Sequence, residues 1–155
     1  PRIRQLAEED LQVNLAVSLH AATDQARSAI MPINKAYSLN ELLAACDYYT
    51  AKTNRRISYE YALISEFNDA PEQAERLGEL LRGRLCHVNL IPVNPVDQEV
   101  RPSPQRIAAF ARVLERAGVP VSIRKERGTD IEAACGQLRR RSLEGQDVAE
   151  HGGQV

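Results

Sequence analysis

Cys135 is the residue whose type and surroundings best suit chemistry. It lies in residues 130–138, which read Asp-Ile-Glu-Ala-Ala-Cys-Gly-Gln-Leu, and arginine-rich segments precede and follow this stretch. Nearby positive charge lowers the pKa of a thiol, which favours the nucleophilic thiolate. The alternative is a small buried apolar side chain, the role that we expect for Cys46 and Cys86. The charge context alone leaves both interpretations of Cys135 open.

Polar side chains also stand where two predicted strands end. Ser18 and His20 follow the first predicted strand, and Asn94 follows the third. In parallel α/β folds the carboxyl ends of the strands form the binding face, where a hydroxyl or an imidazole can contact a ribose or a carboxylate. Pro95 holds Asn94 out of helical conformation, and an amide side chain both donates and accepts. Taken singly, each of these residues fits an ordinary turn or loop better.

Four apolar runs predict the β-strands that would position these residues. They cover residues 13–17, 57–64, 87–91 and 119–124. Such runs are typical of parallel strands that are covered on both faces. Helices are predicted between them, each beginning at a capping residue ahead of an apolar stripe. The predicted starts are Thr23 or Asp24, Ser38 with Glu41, Asp69 with Glu72, and Ser103 with Pro104.

The resulting order, β-α-α-β-α-β-α-β, predicts an α/β fold with a parallel sheet and right-handed crossovers. Four strands are too few for a closed (β/α)8 barrel, which needs roughly 250 residues. We therefore expect a partial (β/α) TIM-like barrel, or a small open sheet, with covering helices. Residues 1–141 are predicted to form this part, and the polar residues 142–155 to form a disordered tail.

Composition excludes several classes of protein. The net charge of -1 gives no global signal for nucleic acid or membrane, and no apolar run is long enough to span a bilayer. Three widely spaced cysteines predict no disulfide framework, so a reducing cytoplasm is the expected compartment. The dinucleotide-binding, phosphate-loop and zinc-binding spacings are all absent from the sequence. The first residue is Pro1 rather than Met, from which we expect a fragment or a processed product.

The ordered segments resemble the C-terminal half of the radical S-adenosylmethionine (SAM) methyl synthases that methylate C2 of adenine in 23S rRNA and tRNA. The resemblance runs collinearly over residues 13–138 and is specific because the set is ordered. Its motifs are residues 17–21, 32–34 with Tyr37, Glu60-Tyr61, Asn68-Asp69, residues 88–92 with Asn94-Pro95, Arg127-Gly128 with Asp130-Ile131, and residues 133–138.

The resemblance implies that Ser18, Leu19, His20 and Asn94 contact SAM, and that Cys135 carries the methyl group as S-methylcysteine. In that family a 4Fe-4S cluster, fed by an electron donor, cleaves a second SAM. The resulting radical activates the S-methyl group, which adds to adenine, and a second cysteine releases the product by forming a disulfide. The full-length protein is expected to be a cytoplasmic monomer without membrane contact.

One departure from the family pattern is large. The family holds its cluster with a C-x-x-x-C-x-x-C motif, and this chain has none. We therefore expect the 155 residues alone to be inactive and to expose an unpaired strand edge at residues 13–17. Two alternatives stay open: a paralogue that methylates adenine C8 of 23S rRNA and confers antibiotic resistance, and a half-barrel that binds nucleotide or RNA without catalysis.

Overall fold

A computed structural model of the chain describes residues 1–9, 11–93 and 101–124. The chain divides into two units, Pro1–Arg124 and Lys125–Val155, and all the described residues belong to the first. The predicted boundary at residue 141 and the predicted tail 142–155 lie outside the described residues. No helix in the described ranges combines the length and the apolar character that crossing a membrane requires.

The described strands form one parallel sheet in the order β1-β2-β3-β4. Because each connection moves to the next strand in the same direction, right-handed crossovers place all the helices on one face of the sheet. This arrangement is that of a (β/α) barrel segment, so the predicted fold class is confirmed. The strands are β1 (Ala16–Ser18), β2 (Ile57–Leu63), β3 (Cys86–Pro92) and β4 (Val121–Ile123).

Local sequence accounts for where the longer helices begin. Ser38 and Glu41 form the predicted capping box, in which each side chain bonds the backbone of the other residue. The hydroxyls of Thr23 and Ser103 accept from the backbone amides of Ala26 and Arg106. The helices are α1 (Arg2–Glu8), α2 (Asp24–Ile30), α3 (Leu39–Thr53), α4 (Pro71–Leu81) and α5 (Pro104–Arg116), with a 3-10 helix at Pro32–Lys35.

Some predicted boundaries were wrong. Asp69 does not cap α4, which begins after Ala70 with Pro71 in its first turn. One Asp69 oxygen instead accepts from the Glu66 amide, and the other faces Arg106 at 3.1 Å. β1 is shorter than residues 13–17, since the Val13 carbonyl accepts from the Tyr49 hydroxyl rather than from a strand.

Only one face of the sheet is packed by helices. Along β2 and β3 buried residues alternate with half-buried ones, and the buried set includes Tyr59, Tyr61, Val88 and Leu90. These side chains share one core with the apolar faces of α3, α4 and α5. Burying each large side chain contributes about 1.5–3 kcal/mol. The expectation of apolar cover on both faces was therefore wrong for the described strands, whose second face carries polar residues.

Candidate functional site

The loop after β1 is tied to the neighbouring strand β2. The amides of Leu19 and His20 both donate to the carbonyl of Glu60, at 2.9 and 3.3 Å. His20 has a left-handed backbone with φ of 59°, and its Nδ1 accepts from the amide of Ala62 at 2.9 Å. In a neutral imidazole the proton then lies on Nε2. His20 thus offers a hydrogen-bond donor at the carboxyl end of the strands.

Arg27 holds the same loop from the side of α2. Its side chain is buried, with 4% exposed. Nε donates to the Leu19 carbonyl at 3.1 Å, Nη2 to the Ser18 carbonyl at 3.2 Å, and Nη1 to Oδ1 of Asn34 at 2.7 Å. A guanidinium presents its donors in a rigid planar fork. Arg27 therefore fixes two successive peptide groups of the loop at once.

Asn34 and Asp24 connect this clamp to the next helix. Nδ2 of Asn34 donates to Oδ1 of Asp24 at 2.9 Å, and the same oxygen accepts from the Leu39 amide at 2.7 Å. The bond from the Leu39 amide and then that from Asn34 lower the pKa of Asp24. The carboxylate therefore stays ionised while it joins α2, the 3-10 helix and the start of α3.

Asn68 closes the loop from the far side. Its Nδ2 donates to the carbonyls of His20 and Ala62 at 2.8 and 2.7 Å, and its Oδ1 accepts from the Ile64 amide at 2.7 Å. Asn68 is fully buried. One amide side chain thus locks the end of β2 against the loop that carries His20.

A row of polar residues crosses the uncovered face of the sheet at the level of Ser18. Strand register pairs Ser18 with Glu60, Glu60 with Asn89, and Asn89 with Ser122. We call these four residues the polar strip. Nδ2 of Asn89 donates to the Glu60 carboxylate at 3.0 Å, and the Ser122 hydroxyl donates to Oδ1 of Asn89 at 3.1 Å. Asn89 therefore bonds side chains on both neighbouring strands.

His20 is uncharged near neutral pH. Burial first, and then the Arg27 cation, lower its pKa below the ordinary value, while Glu60 opposes the shift. Burial of the ring removes water that would solvate an imidazolium. A neutral imidazole with a protonated Nε2 suits hydrogen bonding to a ligand heteroatom.

Comparison with known proteins finds relatives that match most of this chain. The chain is 56% identical over 143 residues to the probable dual-specificity RNA methyltransferase RlmN of Clostridium tetani. It is 53% identical over 146 residues to the protein of the same name from Caldanaerobacter subterraneus. These matches cover 91% and 92% of the chain, and 41% and 42% of the relatives. Over about nine tenths of its length the chain is thus similar to a part of these RNA methyltransferases. No protein-family model matches the chain.

Solved structures agree with these relatives. A radical SAM methyltransferase from Sphaerobacter thermophilus superposes with a TM-score of 0.84 at 51% identity, over 88% of this chain and 41% of that one. A domain of a pyruvate-formate lyase-activating enzyme from Bacteroides vulgatus, at 17% identity and a TM-score of 0.59, shows the fold alone. This chain thus spans about two fifths of the length of its RNA methyltransferase relatives.

The structure brings together part of the predicted methyltransferase site. Ser18 is exposed on the open face and His20 is half-buried beside it. Leu19 is fully buried, and its amide and carbonyl are both hydrogen-bonded, so it has no free group for a ligand. Its predicted contact with SAM stays a prediction that this burial does not favour. Asn94 and Cys135 lie outside the described residues.

The other two cysteines are structural, as expected. Both are buried, and burial raises the pKa of Cys46 and brings that of Cys86 to about 11. They lie on α3 and β3. Within residues 1–9, 11–93 and 101–124, no group of His, Cys, Asp and Glu side chains is arranged to hold a metal. The described residues therefore do not fit an iron-sulfur cluster.

Reasoning from single residues overlooked the side chains that hold the loop after β1 in place. Arg27 and Asn34 stand in or beside short helices and carry no signal of burial. Glu60 and Asn89 gave a weak signal, because each is a polar residue in the alternating pattern of a strand. That alternation indicates a strand with one apolar and one polar face, and so predicts the polar strip.

Proposed function

We propose that the protein to which this chain belongs is a radical SAM methyltransferase that methylates C2 of adenine in 23S rRNA and tRNA. The observation that carries the proposal is the identity of 49–56% over at least nine tenths of the chain to proteins named dual-specificity RNA methyltransferases. The chain also shares the fold of a radical SAM methyltransferase at 51% identity.

Ser18 and His20 are the described residues that would hold SAM, and Leu19 and Asn94 stay predicted contacts. An exposed hydroxyl and a neutral imidazole donor stand together at the carboxyl ends of parallel strands, the usual binding face of such folds. SAM supplies an electrophilic methyl group when bound. The clamp of Arg27 and Asn68 keeps the receiving loop in one conformation, which reduces the entropy lost on binding.

Cys135 is proposed as the methyl carrier. Its thiol loses a proton to solvent, and the thiolate sulfur forms a bond to the methyl carbon as the bond between that carbon and the sulfonium sulfur of SAM breaks. S-adenosylhomocysteine leaves, and Cys135 becomes S-methylcysteine. Arginines around Cys135 in the sequence favour the thiolate. A carrier is needed because adenine C2 is electron-poor and does not attack a sulfonium itself.

We propose no step through an iron-sulfur cluster on this chain. Cys46 and Cys86 stand on different elements with raised thiol pKa values, so the described residues offer no cluster ligands. The 155-residue chain alone is therefore proposed to lack methylation activity. The cluster, its electron donor and a second cysteine would come from other parts of the protein, which is proposed to act as a monomer.

Replacing Cys135 in the full-length protein tests the proposal. Cys135→Ala should abolish adenine methylation of 23S rRNA and tRNA, measured by mass spectrometry of nucleoside digests. Cys86→Ala is the matched thiol control and should keep activity if it folds. Full methylation by Cys135→Ala would overturn the carrier role. If the product is C8-methyladenosine, the protein catalyses the resistance-type reaction at C8 and not methylation at C2. RNA binding without any methylated product would support a non-catalytic binding module instead.

A further inference from the structure

Glu60 lies beside Ser18 on the open face of the sheet. The two residues are register partners on the neighbouring strands β1 and β2. Neighbouring strands are about 4.8 Å apart, and paired residues point to the same face. The Ser18 hydroxyl and the Glu60 carboxylate therefore stand on the same face of the sheet, on neighbouring strands.

A directed chain of hydrogen bonds orients that carboxylate. The Ser122 hydroxyl has a single proton, which it donates to Asn89, so Nε2 of His87 must donate to Ser122 at 2.8 Å. Asn89 in turn donates to Oε2 of Glu60. Every donor in the chain thus points towards Glu60. The side chain is held in one orientation, as a pre-organised binding group needs to be.

The second carboxylate oxygen, Oε1, has no protein partner in the part of the chain that the structure describes. No ion pair of the described residues involves Glu60 either. Oε1 is open to solvent, so it is available to accept hydrogen bonds from a ligand. The fold does not require the Glu60 carboxylate, because the helices pack against the other face of the sheet. A ligand that donates hydrogen bonds would satisfy it.

We infer that Glu60 is a further cofactor-contacting residue, whose carboxylate accepts hydrogen bonds from the ribose hydroxyls of SAM. This inference rests on the proposed function. An ionised carboxylate only accepts, so its ligand must donate. Ser18 on one side both donates and accepts, and the second amide proton of Asn89 on the other side is left to donate, which matches hydroxyl groups. An ammonium group only donates and would leave the neighbouring donors unused.

Ligand binding to the full-length protein tests this role. Glu60→Gln keeps the side-chain volume but removes the charge, and it should weaken SAM binding about tenfold, the effect of one hydrogen bond to a charged group. The same substitution should reduce affinity for the 2′-deoxy and 3′-deoxy analogues of SAM by a smaller factor. These analogues already lack one of the ribose hydroxyls that Glu60 would bind. Equilibrium dialysis measures both. Glu115→Gln, an exposed site on α5, is the charge-matched control and should bind like the unmodified protein.

The outcomes separate this inference from the proposed function. An unmodified protein that does not bind SAM would overturn both. If it binds and methylates, but Glu60→Gln binds SAM equally well, only the role of Glu60 is lost. An equal loss for SAM and its deoxy analogues would also overturn the ribose contact. Should Glu60→Gln fail to fold, Glu60→Asp is the second variant, since it keeps a carboxylate on a shorter side chain. Its loss of SAM affinity should be smaller and should again depend on the ribose hydroxyls.

Discussion

Arg27 is an unusual choice for the interior of a small α/β unit. Its guanidinium is buried and is bonded to two backbone carbonyls and an amide oxygen rather than directly to a carboxylate. Asp24, the nearest carboxylate in the network, acts through Asn34. Burying a cation is costly unless its donors are satisfied. Its position behind Ser18 and His20 indicates that the organisation of the loop offsets that cost.

Removing the guanidinium should therefore disturb both stability and ligand binding. Arg27→Met leaves the Leu19 carbonyl and the Asn34 amide oxygen without their donors, at about 1–3 kcal/mol for each buried group. We expect a lower denaturation midpoint and weaker SAM binding by the full-length protein. Arg84→Met is the control, since Arg84 pairs with Asp47 on the surface away from the loop. Equal effects of the two substitutions would contradict a specific role for Arg27.

His20 should make the protein less stable in mild acid. The pKa of His20 is lowered in the folded protein, by burial and then by Arg27, from about 6.5 in an unfolded chain. Between the lowered pKa of His20 in the folded protein and its ordinary pKa in the unfolded chain, the unfolded state binds more protons. The contribution of His20 is thus complete above pH 6.5 and is lost as the pH falls towards the folded value.

A His20→Asn variant isolates this effect. Asparagine tolerates the left-handed backbone found at this position. Urea denaturation of the full-length protein should show a smaller loss of stability from pH 7 to pH 5 in the variant than in the unmodified protein, with pH values chosen about the ordinary histidine pKa of about 6.5. His87, whose pKa is also lowered by burial, is present in both proteins and cancels in the comparison. Identical pH profiles would rule out His20 as the source.

At the scale of elements, α4 and α5 meet at a glycine. A Cβ atom built on Gly78 would lie 2.8 Å from Cβ of Ala117, just past the end of α5. In a helix interior, the helix propensity of alanine is more favourable than that of glycine by about 1 kcal/mol. The contact with Ala117 costs about 1–3 kcal/mol as overpacking. The second effect is larger, because the neighbouring atom is a short, rigid side chain.

Gly78→Ala should accordingly lower the denaturation midpoint, despite its better helix propensity. Glu75→Ala is the matched control, at an exposed site in the same helix. Its effect should stay within about 0.5 kcal/mol. A midpoint for Gly78→Ala at or above that of the unmodified protein would show that α4 and α5 can move apart without cost.

Local sequence predicted the elements better than the site. The cap at Ser38 and the Ser103-Pro104 helix start depend on neighbouring residues, and both were predicted. Asp69 was misassigned because its true partners include Arg106, far along the chain. α1 was missed because it has no side-chain cap and is held by packing of Ile3 and Leu6 on the core. The Arg27 clamp depends on tertiary contacts that no local pattern encodes.

At the scale of the whole molecule, β1 stands at the edge of the sheet that the described residues form. Within the described residues β1 pairs only with β2, and the unpaired edge expected at residues 13–17 stays a prediction. An unpaired strand offers its backbone groups to other chains and promotes self-association. A charged residue on such a strand is a common protection.

Ala16→Lys should therefore reduce self-association of the 155-residue chain. Ala16 is exposed on β1, so the substitution adds charge without disturbing the core. Gln105→Lys, on the exposed part of α5, makes the same change in net charge away from the edge. Light scattering after size-exclusion chromatography should give a lower average mass for Ala16→Lys alone. A similar decrease in both variants would indicate a general charge effect.

The two faces of the sheet also limit which changes in chain length the protein tolerates. In β2, Tyr59 and Tyr61 face the core, while Ser58 and Glu60 face the open side. Deleting one residue inside this strand would exchange the two sets, placing a carboxylate among apolar side chains and both aromatic rings in the open. Such a deletion would disrupt the packing of the core and so prevent folding, whatever its effect on ligand binding. The alignment of the polar strip is thus protected by the hydrophobic core behind it, and we expect the protein to tolerate changes in length only in its loops.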